Sequence, residues 1–202
     1  MTRIPGLRTL QAMSVAVAAL LVLGAPTVAN AQLQLEGGVG AAIPTASLGN
    51  TTKPGPYFNA LVGVLASEQI TINAQVSGSF FSGKTVFIGG AGAGTESSIS
   101  FYTYGIGVDV NPTDRFSDWM LLFQVFGGFT TVDVGSCVAP CAVPTLGGSE
   151  TDFTFWGGVA PLYKLSRSVA VGGGIRYYVV FSSGPNLTGL PLLAMVRWTL
   201  GQ

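Results

Sequence analysis

Between residues 70 and 80 the chain reads Ile-Thr-Ile-Asn-Ala-Gln-Val-Ser-Gly-Ser-Phe, and Ile70, Ile72, Ala74, Val76 and Phe80 alternate with Thr71, Asn73, Gln75, Ser77 and Ser79. A period of two marks a β-strand with unlike faces. A sheet face in bulk water normally collects Lys and Glu, whereas this polar face is uncharged, small and hydrogen-bonding. It suits a narrow, shared interior, with the apolar face turned outward.

The same signature recurs with turn chemistry between its occurrences. Eight strands are predicted, at 33–43, 56–66, 70–81, 98–110, 119–131, 153–163, 169–181 and 189–200. Their connections alternate in length. Those at 44–55, 82–97 and 132–152 are long and rich in Gly, Pro, Ser and Thr, while 67–69 and 164–168 are tight; 111–118 and 182–188 are intermediate. An even number of strands with short hairpin connections predicts an all-β fold, an eight-stranded antiparallel up-and-down β-barrel with both termini on one side. Strands of about ten residues, apolar outward and polar inward, are the unit of transmembrane barrels.

The seventh strand sorts into Val169, Val171, Ile175, Tyr177, Val179 and Phe181 outside and Gly172, Gly174, Arg176 and Tyr178 inside. In the eighth, Leu190, Leu192, Ala194, Val196, Trp198 and Leu200 face out, with Arg197 and Thr199 inside. Arginine on a lipid face near the midplane would cost about 2–4 kcal/mol, which supports this phase. The second and fifth strands are less decisive: Phe58, Val62 and Val64 oppose Tyr57, Asn59 and Leu61, while Trp119, Leu121, Phe123 and Val125 oppose Met120, Leu122 and Gln124. Aromatic residues near predicted strand ends, Tyr57, Phe58, Tyr102, Trp119, Phe153, Trp156, Tyr163, Phe181 and Trp198, are expected to form interfacial girdles.

Composition sharpens this picture. Apolar residues make up 48% of the chain and charged residues 9%, against about 25% charge in an ordinary soluble domain. Yet after residue 31 no run of about eighteen apolar residues would form a helical span. The one compact apolar run follows Arg3 and Arg8, spans Met13–Leu23 and precedes Ala29-Asn30-Ala31, so residues 1–31 are expected to be a cleaved secretory signal peptide and 32–202 the barrel domain. The remaining seven basic and nine acidic residues give a formal charge of −2, with no basic patch for nucleic acid. Cys137 and Cys141 are expected to form a small loop disulfide in an exported protein, with free thiols as the alternative; a metal site would need partners that this histidine-free chain lacks.

On its signal peptide, eight dyad-repeat strands and alternating connections, the mature region resembles the small outer-membrane β-barrel proteins of Gram-negative bacteria, the OmpA-like, OmpX-like and OmpW-like group. The last strand ends Trp198-Thr-Leu-Gly-Gln202, without the terminal aromatic residue common there. The resemblance implies a bacterial outer-membrane location, long external loops, short periplasmic turns, and two partners: outer-membrane lipid and the barrel-assembly machinery.

Candidate chemistry is sparse. Without histidine, Ser-His catalysis is unavailable; Lys53, Lys84 and Lys164 fall in predicted connections and read as solvated. The run Gly89–Gly94 neither follows a parallel strand nor opens a helix, and reads as a flexible external loop. No catalytic residue, cofactor or metal is expected. The inward charges Glu36, Asp109, Arg176 and Arg197 are expected to form a lumen network, with Glu36 and Arg197 meeting where the first and last strands close the barrel. They would either plug and stiffen the interior or act as a gate. Inward glycines, among them Gly38, Gly40, Gly105, Gly107, Gly172 and Gly174, would either leave room for a slim solute or let the sheet curve. An eight-stranded lumen is just wide enough to be filled by side chains or to hold one small ligand. The expected function is a non-enzymatic, structural or surface-interaction role with any surface ligand held by the external loops. The alternatives are a narrow porin-like channel for small or hydrophobic solutes and, less favoured for want of exterior charge, a secreted soluble ligand carrier.

Overall fold

The computed structural model describes residues 32–88, 92–95, 97–113, 116–135 and 148–201; the signal-peptide segment 1–31 and the Cys137/Cys141 pair lie outside them. Strands β1 (Leu33–Thr45), β2 (Gly55–Leu65), β3 (Ile70–Phe81), β6 (Ile99–Val110), β7 (Trp119–Val134), β8 (Ser149–Lys164), β9 (Val169–Phe181) and β10 (Leu187–Leu200) form one closed antiparallel barrel in the order β1-β10-β9-β8-β7-β6-β3-β2. Closure runs through β1 and β10, from Leu33 opposite Leu200 to Thr45 opposite Thr188. Closing the sheet removes both edges, so the barrel strands leave no open row of ladder groups.

Two elements inside the long connections escape a pattern-based reading. A short helix α1 (Ala46–Thr51) follows β1, and a two-stranded hairpin, β4 (Thr85–Ile88) with β5 (Gly92–Thr95), occupies the second long connection. The glycine run therefore partly forms a strand instead of a loop. Both segments are short and contain too few apolar residues to show a period. Helix α1 buries Leu48 in the core, and backbone bonds from Lys53 to Ser82 and from Lys84 to Thr51 tie the first two long connections together at the loop end. Lys84 also donates to the Gly49 carbonyl, and Lys164 closes β8 itself, so neither is simply a solvated loop lysine.

Each barrel strand alternates, with apolar side chains outward. In β3, Ile70, Ile72 and Val76 are exposed on the outside while Thr71, Asn73, Gln75, Ser77 and Ser79 are buried. The ambiguous strands resolve as well: β2 turns Tyr57, Asn59 and Leu61 inward, and β7 turns Leu122, Gln124 and Phe126 inward. Outward rings near the loop end form a nearly continuous chain: Phe58 to Phe80 at 5.9 Å, Phe80 to Tyr102 at 5.7 Å, Phe129 to Phe153 at 6.1 Å and Phe153 to Phe181 at 6.0 Å. At the turn end Trp119 packs edge-on against Tyr163 at 5.2 Å, and Trp198 is exposed nearby in sequence to the β10 terminus. Tyr57 and Trp156 depart from the expected girdles. Both lie inside the barrel, because they occupy the same phase as Asn59 and Thr154.

The inward glycines mark close approach, not open space. A Cβ on Gly40 would lie 1.8 Å from the Leu192 carbonyl oxygen; one on Gly105 would lie 2.5 Å from that of Gly127. Gly105 sits directly opposite Gly128, so two missing side chains let β6 and β7 bend together. Pairing continues without a break along every barrel seam except the two that flank β9. There Pro161 in β8 and Pro191 in β10 fall opposite Gly173 and Arg176, and the ladder is interrupted at both places. Proline has no N–H to give, and pairing of Pro161 with β7 and of Pro191 with β1 is intact, so both missing donors fall on the β9 side.

Candidate functional site

The inward phase of four strands delivers four charges to one level of the lumen. Glu36 and Arg197 are register partners across the β1–β10 seam, and Asp109 and Gln124 are partners across β6–β7. Arg176 comes from β9. In the barrel order β10 and β6 are diametrically opposed, so Arg197 reaches across the whole lumen when it bonds Asp109. All four charged residues are at most 3% exposed.

The bonds are dense. Arg197 donates from Nε to Glu36 Oε2 at 3.0 Å, from Nη1 to Gln34 Oε1 at 3.2 Å, and from Nη2 to Asp109 Oδ2. Arg176 donates from Nη2 to Glu36 Oε1 at 3.0 Å and from Nε and Nη2 to Gln124 Oε1 at 3.2 and 3.0 Å. Gln124 in turn donates to both Asp109 oxygens at 3.3 Å, and Asn59 to Glu36 at 3.4 Å. Thr71 donates to Gln34 Oε1 at 3.0 Å. The Arg176 guanidinium lies 4.5 Å from the Trp156 ring centre, and Trp156 stacks at 4.2 Å on Phe126. Two guanidinium groups face two carboxylates, so the cluster is balanced when all four are ionised. That balance offsets the cost of removing charges from water.

The structure thus brings all four sequence-derived charges together. It adds Gln34, Asn59, Thr71, Gln124 and Trp156, which sequence reasoning did not single out. Gln34 was within reach of it, standing two residues before Glu36 on the same face. Gln124 was not, because it is flanked by Phe123 and Val125 in a strand apolar on both sides.

A recess of about 960 Å³ opens at the turn end, with Arg197 and Asp109 at its inner limit. Beyond the cluster, toward the loops, lies a cavity of about 10 Å³ bounded by Arg176, Trp156 and Tyr178. Above it Phe101 stacks edge-on between Phe81 and Tyr178 at 5.5 and 5.9 Å. Among the described residues no three His, Cys, Asp or Glu side chains come together where they could hold a metal ion. Chemically the cluster can hold strands together and block passage.

Solved structures with this architecture are numerous, although no family model and no curated protein matches the sequence. Neisserial surface protein A aligns with a TM-score of 0.59 at 13% identity, over 84% of this chain and 97% of that one. A major outer membrane protein from Thermus thermophilus gives 0.55 at 13%, over 84% and 99%. Ail, the attachment invasion locus protein of Yersinia pestis, gives 0.52 at 8%, over 85% and 99%. The fold is that of the small bacterial outer-membrane β-barrels. At these identities the likeness concerns the fold alone, and the lumen cluster stands on this chain's own geometry.

Proposed function

We propose that this protein is a non-enzymatic bacterial outer-membrane barrel, a sealed anchor that holds its loop-end structures at the cell surface for a structural or surface-interaction role. The carrying observation is the charge cluster that crosses the full lumen, with the aromatic seal above it. In this reading residues 1–31 direct export, the barrel-assembly machinery inserts the chain, and outer-membrane lipid covers the apolar exterior. The aromatic belts support it: Phe153 and Tyr163 are ten residues apart on β8, and at about 3.3 Å per residue and a tilt of about 40° their separation along the barrel axis is about 25 Å, the height of a membrane barrel's apolar band. A charge-poor outer face in water would expose such a band to solvent. The absence of histidine from the sequence and the engagement of all four lumen charges with one another support a role without chemistry.

Strands β7 and β8 extend past the outward rings Phe129 and Phe153, carrying exposed Asp133 and Glu150 beyond the belt. This projecting arm is the part of the barrel best placed to meet a surface ligand. The second reading, a narrow channel, draws on the turn-end recess, which leads to the cluster from one side. Membrane fractionation with electrophoresis before and after boiling tests location and fold: outer-membrane recovery and a heat-dependent mobility shift are expected. Planar-bilayer recording then separates the readings. Silence is expected of a sealed anchor, and steady unitary conductance would establish the channel.

A further inference from the structure

Closure leaves no open edge along the barrel itself, but β8 outruns it at the loop end. β8 pairs with β7 from its first residue, Ser149 opposite Asp133, whereas its pairing with β9 starts only at Phe153, opposite Phe181. Continued in the same register, β9 would set Ser183 against Thr151 and Pro185 against Ser149. It turns away instead. The Ser182 hydroxyl donates to the Pro185 carbonyl at 3.0 Å, and a proline has no N–H to give a ladder. Ser149, Glu150 and Thr151 are left exposed.

Strand phase decides which peptide groups stand open. Val134 N–H donates to the Gly148 carbonyl at 3.1 Å, and Lys164 N–H to that of Asp118 at 2.7 Å, so the even-numbered residues of β8 turn their backbone groups toward β7. Those of Ser149 and Thr151 therefore point the other way, past the end of β9, where no backbone partner stands among the described residues. Glu150 and Asp152 lie on one face of this stretch and Thr151 and Phe153 on the other. From Phe116 to Tyr163 the sequence holds four acidic residues and no basic one.

We propose that the outer end of β8 is a strand-addition site for an extended peptide segment of a partner protein that carries Lys or Arg at every second position. The inference rests on the reading of the projecting arm as the surface-facing part of the barrel. An unpaired strand edge is a template for another extended chain. Ser149 and Thr151 supply the N–H donors and C=O acceptors that any such chain can meet, and charge selects among chains. A strand added where a longer β9 would run sets its residues opposite Glu150 and Asp152 as non-hydrogen-bonded pairs, in which side chains stand closest. Basic side chains at those two positions each find a carboxylate, whereas an acidic segment meets like charge. The same rule disfavours a second copy of this chain: joined edge to edge, the arms would bring Glu150 and Asp152 of both copies together.

Backbone amide shifts and hydrogen exchange, in the full chain refolded into zwitterionic detergent micelles, test the site with a short capped peptide of alternating threonine and lysine and its threonine–glutamate counterpart. The lysine peptide should shift and protect the amides of Ser149 and Thr151, while those of Glu150 and Asp152, already turned to β7, change least. The glutamate peptide should do neither. No change at Ser149 and Thr151, or equal changes from both peptides, overturns the proposal. Thr151→Pro removes an edge donor without touching the backbone ladder to β7, and should weaken the lysine peptide about tenfold. Unaltered affinity in that variant would place the peptide elsewhere. Glu150→Lys with Asp152→Lys should reverse the preference, and a double variant that still prefers the lysine peptide refutes the charge selection. Protection of both edge amides that rises with protein concentration, in the absence of peptide, would assign the edge to a second copy and overturn the proposal. Because binding is read on the purified barrel, failed recovery from the outer membrane would undo the surface reading alone, and failed binding would undo the edge site alone.

Discussion

The two halves of the lumen wall are built on opposite principles. On the side of β1, β2 and β3 the inward residues include Gln34, Glu36, Asn59, Thr71, Asn73 and Gln75, groups that require a partner, beside the apolar Ala42, Tyr57, Leu61 and Phe81; on the side of β8, β9 and β10 they are largely Ala160, Leu162, Ala170, Gly172, Gly174, Leu193 and Met195, groups that require only a fit. The first half has uninterrupted ladders, while the second has breaks on both flanks of β9. Arg176 and Arg197 are the exceptions on the apolar side, and they are the groups that reach across. The difference teaches where the barrel gets its cohesion: a polar wall gains from long-range bonds through the lumen, an apolar wall from close packing at short range.

Removing the tie between the halves should have the largest effect. Arg197→Met keeps an unbranched side chain but leaves Glu36 and Asp109 buried with one guanidinium between them. Breaking a buried pair by deleting one partner costs about 3–5 kcal/mol. Urea unfolding in detergent should show a loss of that size. Adding Asp109→Asn to Arg197→Met should restore part of it, since Glu36 then keeps its pair with Arg176 and no carboxylate is stranded. A single variant as stable as the wild type would show that the crossing bond contributes nothing to cohesion.

The polar and charged positions were the legible ones, on either wall. The alternation at 70–80 and the scarcity of charge within strands were enough to place Glu36, Asp109, Arg176 and Arg197 inside, because a charge or an amide can face only one way in such a barrel. The apolar positions were not legible, and the reason is physical: with lipid-like surroundings outside and packing inside, Leu121, Leu122 and Phe123 carry no contrast that reveals a face. Hence β2 and β7 stayed ambiguous, and Trp156 was assigned to an outer girdle although it stacks on Phe126 inside. Helix α1 and the β4–β5 hairpin escaped for a different reason, since elements of six and four residues hold too little pattern to declare a period.

A packing variant probes the apolar half by itself. A Cβ on Gly172 would lie 2.2 Å from the Pro161 carbonyl oxygen and 2.8 Å from the Leu162 Cα, both backbone atoms that cannot swing aside. Gly172→Ala should therefore cost about 1–3 kcal/mol, the range for overpacking a filled interior. Gly37 in β1 is the matched control, because a Cβ there meets nothing within 4 Å. Gly37→Ala should leave the urea midpoint nearly unchanged. Equal losses from both substitutions would mean that strand glycine matters through backbone freedom and not through close approach on the β9 side.

The smallest effect should come from the ladder gap itself, and there stability is the wrong readout. Pro161→Ala returns an N–H opposite Gly173, worth about 0.5–1.5 kcal/mol once its hydrogen bond forms. Losing the proline also frees the unfolded chain, which offsets about 0.4–1 kcal/mol. The two nearly cancel, so the midpoint should hardly move. Local opening is more sensitive, because it depends on the bonds at one seam. In the wild type, the amides of Gly173 and Gly174 should exchange with solvent deuterium faster than those of Asn73 and Gln75, whose ladders are complete on both sides. Pro161→Ala should slow exchange at Gly173 and Gly174 and leave β3 untouched. If exchange on β9 stays fast in that variant, the triple glycine and not the proline weakens this wall, and the contrast between the two halves lies in β9 alone.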